Sequence, residues 1–326
     1  MNELSTAGPV RSKGPFSDKG MGRGKSGAPP RDIREGGKWS LAQRVKNDVL
    51  FYVAAATLWI LERLPARPSA RTSRAVGVLV WGLAPGLRRV ALANVARALP
   101  DVAPRARGAF VRKVYRELGE LLGDVVGTLD PRRPIDALPF LPGSRECLDA
   151  AIAEGRGVVF ASAHLGPWER VAASLVLAGV PLTVVAREPY DPRMGRIYRR
   201  LRDARGVRTV YRGATGAGIA LVRVLRRGEV LGVPMDLASR VPFVEVPFLG
   251  SPAPTPVGPA RLAIRTGAAV VVGTTAPADD GSLGLSFVRI APSTSERELS
   301  ARINDELSAR IRAMPTAWPW MHARWP

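Results

Sequence analysis

The chain has 326 residues, of which 46% are hydrophobic, so it is long enough and apolar enough to bury a sizeable core. Its 48 lysines and arginines outnumber its 28 acidic residues, and the net charge of +20 favours negatively charged partners. The single cysteine, Cys147, excludes an intrachain disulfide framework and a metal site built on several cysteines. Only two histidines, His164 and His322, are available for acid–base chemistry.

The N-terminal part of the chain divides into two regions by composition. Residues 1–38 hold many glycines and prolines and few large apolar residues, which predicts a disordered basic tail. Residues 39–134 are predicted to be helical, with two apolar stretches at Val49 to Leu61 and Ala75 to Leu87. The first is 13 residues long, whereas a spanning helix needs roughly 20. We therefore expect a membrane-associated helical region, peripheral or single-pass, with an ordinary buried core as the alternative.

From about residue 145, short apolar segments alternate with segments of helical periodicity. This alternation predicts an α/β core over residues 135–326, in which helices flank a central sheet. Predicted strands lie at 157–162, 181–186, 207–211, 230–234, 268–274 and 283–290. Predicted helices lie at 168–178, 194–205, 216–227, 257–266 and 295–314.

The segment His164-Leu-Gly-Pro-Trp-Glu169 is the strongest candidate for chemistry. His164 comes just after a predicted buried strand, and the carboxyl ends of strands in open α/β sheets are where ligands bind. Gly166 and Pro167 predict a turn that starts a helix, with Glu169 in its first turn. A carboxylate beside an imidazole holds one tautomer, so His164 and Glu169 together would take a proton from a hydroxyl group. The alternative is a histidine that caps the helix, with Glu169 favouring the helix dipole.

Arginine is concentrated in one stretch of the predicted core. Between Arg187 and Arg227 there are twelve arginines and only three acidic residues. The scarcity of acidic partners predicts few internal salt bridges here. The 194–205 helix would then present a basic face to lipid phosphates, to an acidic carrier protein or to the phosphates of coenzyme A, unless it is simply a solvated face.

Five blocks of sequence, in chain order, carry a resemblance to a known family. They are Arg89-Val-Ala-Leu-Ala-Asn-Val-Ala-Arg-Ala-Leu-Pro100, Ser162-Ala-His-Leu-Gly-Pro-Trp-Glu169, Val184-Val-Ala-Arg187, Leu225-Arg-Arg-Gly-Glu-Val-Leu-Gly-Val-Pro-Met-Asp236 and Trp318-Pro-Trp-Met-His-Ala-Arg-Trp325. Together they resemble the lysophospholipid acyltransferase superfamily and, more narrowly, the bacterial lipid A biosynthesis (late) acyltransferase family, over residues 45–326. The chain departs from the family pattern at Met235, which separates Pro234 from Asp236.

The resemblance implies a glycerolipid acyltransferase-like fold, with a mixed central sheet, and an O-acyltransferase. The enzyme would move a fatty acyl chain from an acyl carrier protein or acyl-coenzyme A to a hydroxyl of a membrane glycolipid such as a lipid A precursor. It would work at the cytoplasmic face of the inner membrane, on an anionic surface, with no metal or bound organic cofactor. His164 and Glu169 would form the catalytic general-base dyad. The expected substrate-binding residues are Arg187, which would bind a phosphate or polarise the thioester carbonyl, and Asp236, Gly166 and Trp168.

Two alternatives remain open at this point. The same chemistry would serve a phosphatidylinositol mannoside or another phospholipid as the acceptor. A non-enzymatic basic protein that binds membranes or nucleic acid is the alternative from another class. No nucleic-acid partner is expected, because the chain shows no recognisable nucleic-acid-binding module.

Overall fold

The computed structural model describes residues 38–130, 132–238 and 241–325. The predicted tail at 1–38 therefore lies outside the described residues, apart from Lys38. Four helices come first in the described part of the chain: α1 (Leu41–Arg63), α2 (Ala66–Leu83), α3 (Pro85–Ala98) and α4 (Arg107–Leu129). A reciprocal capping box starts α1, because the Ser40 hydroxyl accepts from the Gln43 N–H while the Gln43 side chain accepts from the Ser40 N–H.

Glycines allow α2 and α4 to cross with their backbones in contact. A Cβ added to Gly119 on α4 would lie 3.1 Å from the Cα of Gly77 on α2 and would overlap the carbonyl oxygen of Ser73. A Cβ added to Gly77 would likewise overlap the carbonyl oxygen of Tyr115. No side chain fits at either position, so the spacing of the two helices depends on both glycines.

The rest of the described chain forms a central sheet and a separate hairpin, together with further helices. Its strands are β1 (Val158–Ser162), β2 (Leu182–Arg187), β3 (Arg208–Arg212), β4 (Val230–Pro234), β5 (Phe243–Phe248), β6 (Ser251–Pro256), β7 (Ala269–Pro277) and β8 (Leu283–Arg289). Its helices are α5 (Ser144–Ala153), α6 (Trp168–Leu177), α7 (Pro192–Asp203), α8 (Ala217–Arg226), α9 (Gly258–Thr266) and α10 (Glu296–Ala313). A short 3₁₀ turn, Pro315–Ala317, leads into the C-terminal segment.

Six strands make the central sheet in the order β3-β2-β4-β1-β7-β8. All neighbours pair in parallel except β7 and β8, which are antiparallel, so the sheet is mixed and mostly parallel. The predicted α/β fold and each of its predicted strands and helices are thus confirmed. The sequence analysis missed the separate antiparallel hairpin of β5 and β6, because prolines at 247, 252, 254 and 256 argue against a strand.

The core lies on both faces of this sheet, and β1 contributes to each. Val159 and Ala161 join one buried cluster with residues of α3, α4, α9 and α10, while Val158 and Phe160 join a second cluster with residues of α5 and α6. Residues of α3 and α4 pack into the same buried cluster as the sheet, so the core is continuous across residue 134. The domain boundary predicted at residue 134 stays a prediction.

Within the described part of the chain, no single helix is both long and apolar enough to cross a bilayer. One pair of consecutive helical segments, Pro68–Leu83 and Pro85–Ala98, is long and apolar enough when the two are taken together. The two segments are bent by 92° at the break between them.

Candidate active site

Two parallel strands bring His164 and Asp236 together at the carboxyl edge of the sheet. Ser162, the last residue of β1, is in register with Pro234, the last residue of β4, so the residues two places further on are neighbours. The backbone N–H of His164 donates to Oδ2 of Asp236 at 2.9 Å, and the imidazole Nδ1 lies 2.9 Å from Oδ1. The sheet therefore fixes an imidazole–carboxylate pair where α/β proteins bind ligands.

Asp236 is fully buried, and its environment keeps it ionised. Burial alone would raise its pKa, but the charge of His164 and the hydrogen bonds from His164 and the Trp318 indole hold the pKa below its ordinary value. A carboxylate at Nδ1 requires the proton of neutral imidazole to reside on that nitrogen. Nε2 is then the basic nitrogen of His164.

The pKa of His164 reflects the same pair. Burial would lower it, but the charge and the hydrogen bond of Asp236, with a further contribution from the charge of Glu169, raise the pKa above its ordinary value. Asp236 thus stabilises the imidazolium that forms when His164 accepts a proton.

The structure corrects the predicted partner of the imidazole, which is Asp236 and not Glu169. Glu169 is buried in the first turn of α6 and forms an ion pair with Arg202 on α7, whose Nε donates to Oε2 at 2.9 Å and whose Nη2 donates to Oε1. A bidentate guanidinium thus occupies both carboxylate oxygens, while the strand register already places Asp236 at Nδ1. The catalytic role of Glu169 stays a prediction.

Gly166 and Trp168 shape the turn that follows His164. Gly166 has a φ of +61°, and a Cβ there would lie only 2.6 Å from Oγ1 of Thr275 on β7, so glycine alone suits this position. The Trp168 ring meets the imidazole edge to face, with 5.2 Å between centroids. Trp168 therefore confines the imidazole on one side, and the predicted contact of both residues with substrate stays a prediction.

Arg187 ends β2 and is exposed at the same edge of the sheet as His164. Because β2 pairs in parallel with β4, and β4 with β1, all three strand ends point the same way. The structure thus places Arg187 one strand beyond Asp236, and its predicted role towards a phosphate or a carbonyl is untested.

The arginine stretch pairs internally more than its composition predicted. The ion pairs of this stretch include those of Arg193 with Asp191 and Asp48, Arg199 with Glu188, Arg202 with Glu169, and Arg208 with Glu229. The prediction of few internal salt bridges is therefore wrong for these side chains, because Asp48, Glu169 and Glu229 reach the stretch from outside it, while Glu188 and Asp191 pair within it.

The C-terminal segment supplies a contact that sequence reasoning missed. The Trp318 indole Nε1 donates to Oδ2 of Asp236 at 2.8 Å, and the Ala317 carbonyl accepts from the Gly166 N–H at 3.2 Å. The side chain of Asn94 on α3 anchors the same segment through the carbonyls of Trp320 and His322. Three tryptophans near the end of the chain were the available signal, but they indicated packing and not a contact with the site.

Comparisons with known proteins relate the chain to a family. The model of a family described as bacterial lipid A biosynthesis acyltransferase matches residues 38–326. The chain is 28% identical over 225 residues to a protein of Mycobacterium tuberculosis (strain ATCC 25618 / H37Rv) named phosphatidylinositol mannoside acyltransferase, covering 67% of each chain. It is 29% identical over 237 residues to a protein of the same name from Mycolicibacterium smegmatis (strain ATCC 700084 / mc(2)155), covering 70% of this chain and 73% of that protein.

Proposed function

The chain belongs to the bacterial lipid A biosynthesis acyltransferase family and is an acyltransferase, and from this premise we propose that it acylates a hydroxyl of a membrane glycolipid. The proposed donor is an acyl thioester, carried by coenzyme A or by an acyl carrier protein. The favoured acceptor is a phosphatidylinositol mannoside, because the similar mycobacterial proteins bear that name. A lipid A precursor is the second candidate, on the strength of the family description.

The observation that carries the mechanism is the pair of His164 and Asp236 at the strand ends. Nε2 of His164 takes the proton of the acceptor hydroxyl as its oxygen attacks the thioester carbonyl carbon. Asp236 stabilises the resulting imidazolium. When the tetrahedral intermediate collapses, the carbon–sulfur bond breaks, and the leaving thiolate takes the proton back from His164. An ester and a free thiol result, and no residue of the chain is acylated.

Other residues of the site are assigned supporting roles in this proposal. The charge of Glu169 adds to the stabilisation of the imidazolium, since it raises the pKa of His164 together with Asp236. Arg187 binds a phosphate of a substrate or polarises the thioester carbonyl, as a guanidinium at a strand end is able to do. Exposed arginines on α7, namely Arg196, Arg199 and Arg200, attract the phosphates of the donor or the acceptor.

The membrane contact is proposed for the first three helices. Many large apolar side chains of α1–α3 are exposed, among them Leu41, Val45, Val49, Leu50, Tyr52, Val53, Trp59, Leu79, Leu83 and Leu87. A patch of this kind is typical of a surface that inserts into a membrane interface. We propose that the protein sits peripherally on the cytoplasmic face of the membrane through this patch.

The test is an acylation assay with purified protein, acyl-coenzyme A and each candidate acceptor in turn. Its products are identified by mass spectrometry. We expect one acyl chain to be added to the phosphatidylinositol mannoside, and the product to be absent with His164→Ala. Asp236→Asn should lower kcat by about 10⁴-fold, as the loss of an orienting aspartate does in other imidazole-based sites. Full activity of a folded His164→Ala variant would refute the mechanism. If only the lipid A precursor is acylated, that precursor and not the phosphatidylinositol mannoside is the acceptor.

A further inference from the structure

Asp236 receives three hydrogen bonds, and one of them comes from the far end of the chain. Oδ1 faces Nδ1 of His164, while Oδ2 accepts both the backbone N–H of His164 at 2.9 Å and the indole Nε1 of Trp318 at 2.8 Å. The carboxylate and the indole are both completely buried. A buried carboxylate without enough donors is costly, and it is also free to turn about its Cβ–Cγ bond.

We propose that Trp318 is a positioning residue for acyl transfer, because its indole N–H fixes the Asp236 carboxylate in the orientation that presents Oδ1 to His164. The inference rests on the proposed general-base role of His164. Trp318 does not touch the imidazole itself and acts only through Asp236. The C-terminal segment thereby becomes part of the catalytic apparatus rather than a packing element alone.

The indole of Trp318 is itself held in one place. Its ring packs against Trp320 at 4.8 Å between centroids with perpendicular planes, against Phe248 at 5.8 Å and against Trp325 at 6.3 Å. The residue just before it, Ala317, accepts the N–H of Gly166 in the turn after His164. The segment therefore contacts both strand ends that form the pair, and this hydrogen bond to the turn holds the Trp318 N–H near Oδ2.

The same aromatic cluster contains a matched control. Trp320 is also completely buried, but its Nε1 donates to the carbonyl of Pro315 and not to a side chain of the site. Phenylalanine at 320 therefore removes an indole N–H and some buried surface, but it keeps an aromatic ring against Trp318 and leaves the hydrogen bond to Asp236 in place. Phenylalanine at 318 removes the donor to the carboxylate, so the difference between the two variants isolates that hydrogen bond.

Four other ionisable side chains surround the pair, and none of them is altered by either substitution: Glu169 on α6, Arg202 on α7, and His322 and Arg324 in the C-terminal segment. The charge of Glu169 raises the pKa of His164, and that of Arg202 lowers it. Burial and the charge of His164 lower the pKa of His322, so this second histidine tends to stay neutral. Burial lowers the pKa of Arg324 to about 10, which leaves it cationic near neutral pH.

The test compares wild type, Trp318→Phe and Trp320→Phe as full chains in detergent micelles. In Trp318→Phe we expect kcat to fall by roughly ten- to a hundredfold, the factor that corresponds to the loss of a hydrogen bond to a charged group, with little change in KM. We expect Trp320→Phe to stay within about threefold of wild type. The acid limb of the kcat profile should move to lower pH only in Trp318→Phe, because a carboxylate that turns away from Nδ1 stabilises the imidazolium less.

Nitrogen-15 labelling of histidine gives a readout that does not depend on activity. The chain has only two histidines, so the titration of His164 is resolved and is assigned with a His322→Gln variant. We expect a lower pKa for His164 in Trp318→Phe than in Trp320→Phe. If kcat and the pKa of His164 are the same in both variants, or if the pKa rises in Trp318→Phe, the positioning role is overturned.

A further variant protects the test against a folding defect. If Trp318→Phe does not fold, benzothienylalanine at position 318 keeps the shape of the bicyclic ring and replaces the N–H by sulfur, and the same outcomes apply. The proposed function fails separately if wild type acylates neither acceptor. The histidine titration would still decide in that case whether Trp318 acts on His164 through Asp236.

Discussion

The backbone contact between α2 and α4 predicts how strongly a single methyl group at Gly119 destabilises the fold. A Cβ at this position would lie 3.1 Å from the Cα of Gly77 and would overlap the Ser73 carbonyl oxygen, whereas comfortable carbon–carbon contacts are about 3.5–4.0 Å. The helices must therefore separate by roughly 1 Å or distort, and overpacking of this kind costs about 1–3 kcal/mol.

The same substitution at Gly127 provides the reference state. Gly127 is also in α4, and a Cβ there would meet nothing within 4 Å. Replacement by alanine at either site gains up to about 1 kcal/mol of helix propensity, so the difference between Gly119→Ala and Gly127→Ala isolates the steric term. Urea unfolding followed by tryptophan fluorescence should show Gly119→Ala to be less stable than Gly127→Ala by about 1–3 kcal/mol. Equal stabilities would refute the backbone contact.

Two further predictions concern the charges of the site. Arg202→Met should lower the free energy of unfolding in urea by about 3–5 kcal/mol because it strands the buried Glu169, whereas Arg199→Met, at an exposed pair, should change it by less than about 1 kcal/mol. Similar losses in both would contradict this. His164 has a raised pKa and must be neutral to act as a base, so kcat should fall as the pH drops through a midpoint above about 6.5. In a pH series, Asp236→Asn should lower that midpoint more than Glu169→Gln, and the reverse order would count against Asp236 as the principal partner.

The sequence was sufficient for the central sheet because its signals are local. Each strand of the sheet is a short apolar run bounded by turn residues, and each intervening helix has its own periodicity. The hairpin Phe243–Phe248 and Ser251–Pro256 lacked such a signal. Its prolines suppress strand propensity, and its pairing, its contact with α10 and its contacts with the C-terminal segment stabilise it.

The site was predictable in part for the same reason. His164 and Glu169 belong to one hexapeptide, so their turn and helix could be anticipated from spacing alone. The pairing of His164 with Asp236 depends on which strand lies beside β1 and in which register, and that information is not local. The contact between Trp318 and Asp236 is less local again, because it joins residues 82 positions apart in the chain.

The two carboxylates near His164 have different electrostatic surroundings, and the difference explains why the nearer one in sequence is not its partner. The charge of Glu169 is largely balanced by the bidentate guanidinium of Arg202, which acts on the imidazole with the opposite sign. Among the residues that the structure describes, no lysine or arginine forms an ion pair with Asp236, and its hydrogen bonds come from an indole, a backbone N–H and the imidazole. Its negative charge is therefore available to an imidazolium, whereas that of Glu169 becomes fully available only if Arg202 moves away.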